Sequence, residues 1–453
     1  MRTKIKPNNS KIRIGAGAGF AGDRLEPAIE LIQKASLDFI IFECLAERTI
    51  ARETLALIRG MGTGYNPQLN ERFNATLKIC EASGTRIVTN MGAANPKGAA
   101  LETTRIANDL NLKDCRCAVL LGDDVCEIIE RKPDLIMHET GKPLESIISR
   151  LASANAYLGA DSVADAISTG APIIMTGRVA DPSLFVAPML DQFGWSYDDY
   201  SLLGQFSIAG HLLECAGQVT GGYFADPGFK EVSNLANLGF PFVDVTNSGK
   251  VYIGKLENTG GRLDKATCTE QILYEVGDPS NYITPDCVLD ITDVHLKELH
   301  SNRIEVHGAR ANPRTSSYKV SVGYFDGYLG EGQLTYGGPN AVARAKLAIE
   351  IVKKRLQIRG FNFEDIQTSL IGLDSLHGPR AYKESEPYEV RLRVAGKTQS
   401  KKAAEAVGFE VAALYTNGPY GGAGDYSNVR ELIAVQSVFL ERELVKPRIE
   451  IIG

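Results

Sequence analysis

Acids and amides, with one arginine, recur where apolar runs end. Asp23 and Arg24 follow the first run, Glu43 closes the second, Asn90 and Asn95 follow the third, Asp123 and Asp124 the fourth, and Arg178 and Asp181 the fifth. If those runs are parallel strands, their carboxyl ends share one edge, which is where α/β proteins bind ligands. Glu43 crowded against Asp123 and Asp124 would raise one carboxyl pKa and make a general acid or base. Arg178, in Thr176-Gly177-Arg178, would grip a carboxylate or phosphate through parallel N–H groups. Plainer roles stay open: the paired acids as caps, and Asp181 as a metal ligand or simply the salt partner of Arg178.

A glycine-rich stretch, Gly15-Ala16-Gly17-Ala18-Gly19-Phe20-Ala21-Gly22-Asp23-Arg24, contains G-x-G-x-x-G at Gly17, Gly19 and Gly22. Glu43 closes the next strand where a dinucleotide site puts its ribose acid. Pro27, however, fits only a first helical turn, so the helix starts beyond Gly22 and its amino end does not meet a pyrophosphate held by the glycines. A nicotinamide or flavin site, a simple close-packed turn, and a loop whose N–H groups hold a carboxylate or phosphate all remain readings, and the last fits best. His211 and Glu214 share a face of a predicted helix, as an acid–base pair, half of a metal site, or a satisfied core histidine. H-E-x-x-H and His-x-His are missing and no Cys/His set has zinc spacing, so no metal ligand is assigned and the cofactor is left unknown. The stretches 259–262, 336–340 and 417–422 are further glycine loops, turns by default; the second precedes a helix and suits an anion. With no G-x-S-x-G and no P-loop in the sequence, serine hydrolase and nucleoside-triphosphatase chemistry drop away.

The elements that must position these residues follow from periodicity. Residues 11–18, 37–42, 86–90, 115–121 and 172–176 are continuous apolar runs, the pattern of strands covered on both faces. Helical patterns at 27–34, 46–58, 70–83 and 97–108 alternate with them, and 182–193 and 197–218 follow. The expected fold is α/β, a mostly parallel, Rossmann-like open sheet with flanking helices. Between 240 and 336 the texture becomes α+β, with short strands at 240–245, 251–255, 303–306 and 318–324. A helix spans 339–356; a strand at 389–394, a helix at 401–415 and a strand at 432–439 then suggest a small βαβ-type domain. The expected domains are 1–225, 226–380 and 381–453.

Composition limits the partners. The 453 residues are 44% hydrophobic and carry a formal net charge of −6, which leaves no basic surface for nucleic acid or an anionic membrane. No apolar run reaches the roughly 20 residues that span a bilayer, and the start at 1–7 has no apolar core, so a cytoplasmic protein is expected. Eight cysteines, with Cys44, Cys80, Cys117 and Cys215 in apolar runs, read as small buried hydrophobes of a reducing compartment.

Residues 15–23, Phe42-Glu43-Cys44-Leu45-Ala46-Glu47-Arg48-Thr49, Thr89-Asn90-Met91-Gly92-Ala93-Ala94-Asn95-Pro96, Thr176-Gly177-Arg178-Val179-Ala180-Asp181 and Ala413-Leu414-Tyr415-Thr416-Asn417-Gly418-Pro419 resemble the acyclic terpene utilisation family. The resemblance implies breakdown of citronellol- and geraniol-type terpenoids, with a lyase step on a branched hydroxyacyl-CoA, and carries no settled catalytic residues. The leading reading is therefore a lyase or hydratase acting on a branched hydroxy-carboxylate or its CoA thioester. Glu43 or Asp124 is the base, with Asp123 and His211 as further catalytic candidates. Arg178 is the anchor, the loop Gly17 to Gly22 with Asp23 the anion cradle, and Asn90, Asn95 and Asp181 further binding groups. An NAD(P)- or flavin-dependent oxidoreductase and a non-catalytic ligand-binding or scaffold subunit are the alternatives, and a homo-oligomer is compatible with all three.

Overall fold

All five apolar runs form strands in the computed structural model, which describes residues 11–378 and 387–453. They are β1 (Lys11–Ala18), β2 (Phe39–Phe42), β3 (Arg86–Thr89), β4 (Cys117–Leu121) and, after the unforeseen β5 (Leu151–Ala156), β6 (Ile173–Thr176). Helices α1 (Glu26–Lys34), α2 (Glu47–Ile58), α3 (Leu69–Ser83) and α4 (Pro96–Asp109) separate the first four. β1 is built from glycine and alanine because it lies against bulky neighbours. A Cβ on Gly15 would sit 2.7 Å from Leu37, and one on Gly17 would sit 2.5 Å from the Phe42 ring.

The five strands lie side by side in the order β1-β2-β3-β6-β4, all parallel. Register pairs Ala18 with Phe42, Phe42 with Thr89, Thr89 with Met175 and Leu120 with Thr176, so the carboxyl ends form one edge. The sheet as a whole is mixed, which corrects the expectation of a mostly parallel, Rossmann-like arrangement. The far side of β1 is occupied by antiparallel β7 (Pro241–Thr246), followed by β8 (Val251–Lys255) and the strands Arg303–His307 and His295–His300. The strand Arg448–Ile452 pairs antiparallel with β4. The strands read at 240–245 and 251–255 as part of a separate layer thus extend the first sheet.

Two compact units emerge, Met1–Gly323 with Val435–Gly453, and Tyr324–Ala434. In the first, β5 pairs with the start of the strand Ser317–Gly337, through the Tyr157 N–H donating to the Lys319 carbonyl at 3.0 Å. In the second, strands Asp365–Ile371, Glu389–Thr398, the later part of Ser317–Gly337 and the earlier part of Gly422–Glu441 carry helices Ala341–Ile358 and Lys401–Ala412 over a core that includes Leu334, Tyr336, Val352, Leu392 and Val407. Its glycine loops are turns tied together by Arg344, whose guanidinium donates to the carbonyls of Gly337, Pro339 and Tyr420. The expected boundary at 380 and the stretch at 1–7 lie outside the described residues. No helix among the described residues is long and apolar enough to cross a membrane, and all eight cysteines are free.

The β1–β7 pairing has a specific electrostatic clasp. Arg13 and Asp244 face one another in register and form a two-pronged ion pair, 2.7 and 2.8 Å, with Arg303 donating to the same carboxylate. Burial would raise the Asp244 carboxyl, but Arg13 and Arg303 outweigh it and hold it below the ordinary value. Asp244→Ala leaves two guanidinium groups without their partner and is expected to lower unfolding free energy by about 3 kcal/mol in chemical denaturation. Because the folded carboxyl is depressed, the stabilisation is full above the ordinary carboxylate range and fades as pH falls through the folded value. An unchanged denaturation midpoint in the variant would remove the clasp as a determinant of sheet order.

Candidate functional site

Glu43 leaves the end of β2 with its backbone N–H donating to the Ala18 carbonyl of β1 at 3.2 Å. Its Oε1 accepts from the Leu45 N–H at 2.9 Å and from Asn90 Nδ2 at 2.8 Å, while Asn90 Oδ1 accepts from the Cys44 N–H at 2.7 Å. Asn90 at the end of β3 thus clamps the turn after β2 as well as the carboxyl. With only 6% of its surface exposed and Asp181 close by, Glu43 is pushed up to about 8 by burial first and by that second carboxylate. A carboxyl of this kind is protonated at neutral pH and can give or take a proton there.

Arg178 follows β6 and is 2% exposed. Its Nη1 donates to the carbonyls of Leu45 and Val179 and to Asp181 Oδ1 at 2.6 Å, Nη2 lies 3.9 Å from Glu47, and its Cζ stacks 4.1 Å above the Tyr157 ring. Tyr157 in turn donates its hydroxyl to Glu47, which Lys319 also reaches at 3.3 Å. Burial alone would raise the Glu47 carboxyl; Arg178, Tyr157 and Lys319 overcome it and hold it at about 2. Asp181 is raised, burial outweighing Arg178. A cavity of about 270 Å³ opens among Glu47, Tyr157, Arg178, Asp181, Glu214, Glu275, Tyr282 and Lys319. Cations and a phenol therefore share its wall with carboxyls.

Of the residues singled out in the sequence, Glu43, Asn90, Arg178 and Asp181 come together here. His211 stands just behind: fully buried, it bonds Glu214 at 2.7 Å through Nδ1 and faces the Ile272 carbonyl at 3.3 Å through Nε2, so Glu214, not His211, reaches the cavity. Asp123, Asp124 and Asn95 line a second cavity of about 550 Å³. There Asn95 caps α4, accepting from the Gly98 N–H at 3.0 Å, and the exposed Asp124 accepts from the Cys126 N–H at 3.0 Å. In the glycine loop, Asp23 occupies the N–H groups itself: Gly19 donates to it at 2.9 Å and Arg24 at 2.8 Å. Gly22 approaches only the Phe20 side chain, and Gly19 lies against the Cys215 backbone. Among the described residues no group of three or more His, Cys, Asp or Glu side chains is placed to hold a metal ion.

Sequence reading did not find Glu47, Tyr157, Glu275, Tyr282 or Lys319. Glu47 had a local signal, four residues after Glu43 and at the start of α2. Tyr157 and Lys319 had none, since they meet only through pairing between β5 and a strand that begins 160 residues later.

The family model described as acyclic terpene utilisation family protein AtuA matches residues 12–451. No curated protein and no solved structure matches the chain.

Glu43 makes a pH signature. Its carboxyl titrates near 4.5 when unfolded and about 8 when folded, so between those values the folded state keeps a proton that the unfolded state has released, and stability falls as pH rises. Glu43→Gln removes the titration. Denaturant midpoints of wild type and variant are expected to diverge steadily across that window in favour of the variant; parallel pH profiles would show that Glu43 is ionised in the fold.

Proposed function

The chain belongs to the acyclic terpene utilisation family, and from that premise we propose a lyase or hydratase acting on a branched hydroxy-carboxylate or its CoA thioester in acyclic terpenoid breakdown. The observation that carries this reading is the small cavity with Lys319, Tyr157 and the Arg178 charge beside Asp181 and Glu214, and Glu43 protonated just behind. Lys319, which donates to Glu47 and lies over the Tyr157 ring, brings its charge to the cavity wall, where it can meet a substrate carboxylate or thioester oxygen. Negative charge that gathers on that oxygen as an enolate forms is then stabilised by fixed positive groups in a partly dry site.

In a dehydration, the base takes the α-proton, the C–O bond breaks, and the departing hydroxyl leaves as water with a proton from the acid. In a retro-aldol cleavage, the base takes the hydroxyl proton, the carbon–carbon bond breaks, and the enolate is reprotonated. Either sequence needs one group that is neutral and one that is ionised near pH 7. Glu43 and Asp181, like charges in a buried setting, suit this role by sharing one proton, with Asp181 the member on the cavity wall. About 270 Å³ accommodates a short branched acyl group, so the nucleotide end of a thioester would lie outside. Asp23 on the loop N–H groups, and α1 starting only at Glu26, favour this reading over a nicotinamide or flavin site.

The purified chain is expected to turn over branched 3-hydroxyacyl-CoAs or the free hydroxy acids, followed by chromatography of the products without added nicotinamide. Glu43→Gln should lower kcat by about 10²–10⁴ with the circular dichroism spectrum intact. Full turnover in that variant would remove Glu43 from the mechanism, and no turnover on any such substrate would sink the reading.

A further inference from the structure

We propose that Asp123 is a positioning residue for the Arg178–Tyr157 stack, holding from one carboxylate oxygen both the backbone of Arg178 and the strand end that carries Tyr157. Asp123 is buried at the end of β4, and its Oδ2 accepts from the Arg178 N–H at 2.8 Å and from Asn155 Nδ2 at 3.1 Å. Its own carbonyl accepts from the Ala156 N–H at 2.7 Å, and the Val125 N–H donates to Ala154 at 2.9 Å, so the end of β5 is stitched to residues 123–125. On the other side the Leu158 N–H donates to Arg178 at 3.3 Å and the Ala180 N–H to Leu158 at 3.0 Å. Gly177 completes the fit. A Cβ there would lie 2.5 Å from Asp123 Oδ2, so only glycine lets the peptide before Arg178 press onto the carboxylate.

Tyr157 and Arg178 thus hang from the same atom, one through Asn155 and one directly, and their stacking at 4.1 Å follows from that common support. Asp123 does not line the crevice cavity and so touches no substrate there. It faces the second cavity, together with Asp124, Glu127, Lys97 and Arg448. Burial pushes its carboxyl up to about 6; the Arg178 N–H and Asn155 oppose the rise and Asp124 adds to it. An ionised acceptor holds an N–H roughly twice as strongly as a neutral one, so protonating Asp123 slackens both supports at once. The consequence for turnover rests on the acid–base reading of the crevice; the structural part does not.

The test uses the full chain with 3-fluorotyrosine incorporated and the Tyr157 signal assigned by its loss in Tyr157→Phe. Fluorine NMR from about pH 5 to about pH 8 is expected to show the Tyr157 resonance titrating with a midpoint of about 6. Glu43, at about 8, would give a separate step. Asp123→Asn keeps an acceptor oxygen without the charge, so the step near 6 should vanish and the resonance should stay at the acid-limit position of wild type. With substrate turnover available, kcat/KM of wild type should fall about tenfold on the acid side, a limb missing from Asp123→Asn. The same midpoint in Asp123→Asn, or a Tyr157 signal that does not move in wild type, would overturn the proposal. Absence of turnover with the titration intact would fault the proposed activity and leave Asp123 in place.

Discussion

A guanidinium removed from water carries a desolvation penalty of several kcal/mol, and a fold that buries one has to surround it with acceptors and negative charge. Arg178 sets that requirement here. The Leu45 carbonyl comes from the turn after β2, Asp181 from the segment after β6, Glu47 from the first turn of α2 and the Tyr157 ring from the end of β5. Four separate parts of the chain are thereby drawn to one point on the sheet edge. Meeting the needs of Arg178 also shapes the neighbours: it helps to hold Glu47 as a carboxylate, while burial raises the Glu43 and Asp181 carboxyls against its pull. The buried cation on one side and the loss of water on the other thus set the carboxyls of the crevice apart.

Strand identity was legible because continuous runs such as Phe39-Ile40-Ile41-Phe42 and Arg86-Ile87-Val88-Thr89 have one reading in a sheet covered on both faces. Pairing direction was not legible. Arg13 and Asp244, which join β1 to its antiparallel neighbour, are 231 residues apart, a contact no local window contains. β5 escaped notice for another reason: after Leu151, the residues Ala152-Ser153-Ala154-Asn155-Ala156 are small or polar and carry no bulky apolar signal, although they are buried.

The same logic explains which site residues converged. Sequence order suggests that β4 lies beside β3, which would bring Asp123 and Asp124 next to Asn90. The sheet places β6 between them. One intervening strand moves Asp123 and Asp124 to the far side of the Gly177–Arg178 turn and gives them a cavity of their own, while Arg178 and Asp181 take the position beside Asn90 and Glu43. Strand-end polarity was thus a sound guide to the edge, but the insertion of a later strand redistributed its members.

The glycine loop shows how a ligand-like motif is used from within. Its N–H groups at Gly19 and Arg24 are met by Asp23, and its carbonyls at Gly17 and Asp23 by the buried Arg72 at 3.3 and 2.8 Å, whose guanidinium rests over the Phe42 ring. A carboxylate carried by the loop itself meets those donors at no translational cost, so an external anion gains little by replacing it. What remains is rigidity: with donors and acceptors engaged internally, the end of β1 is held firmly, and Ala18 can offer its carbonyl to the Glu43 N–H. The glycines therefore serve the crevice indirectly, by letting β1 pass close to Phe42 and by fixing the backbone from which the key carboxyl is hung.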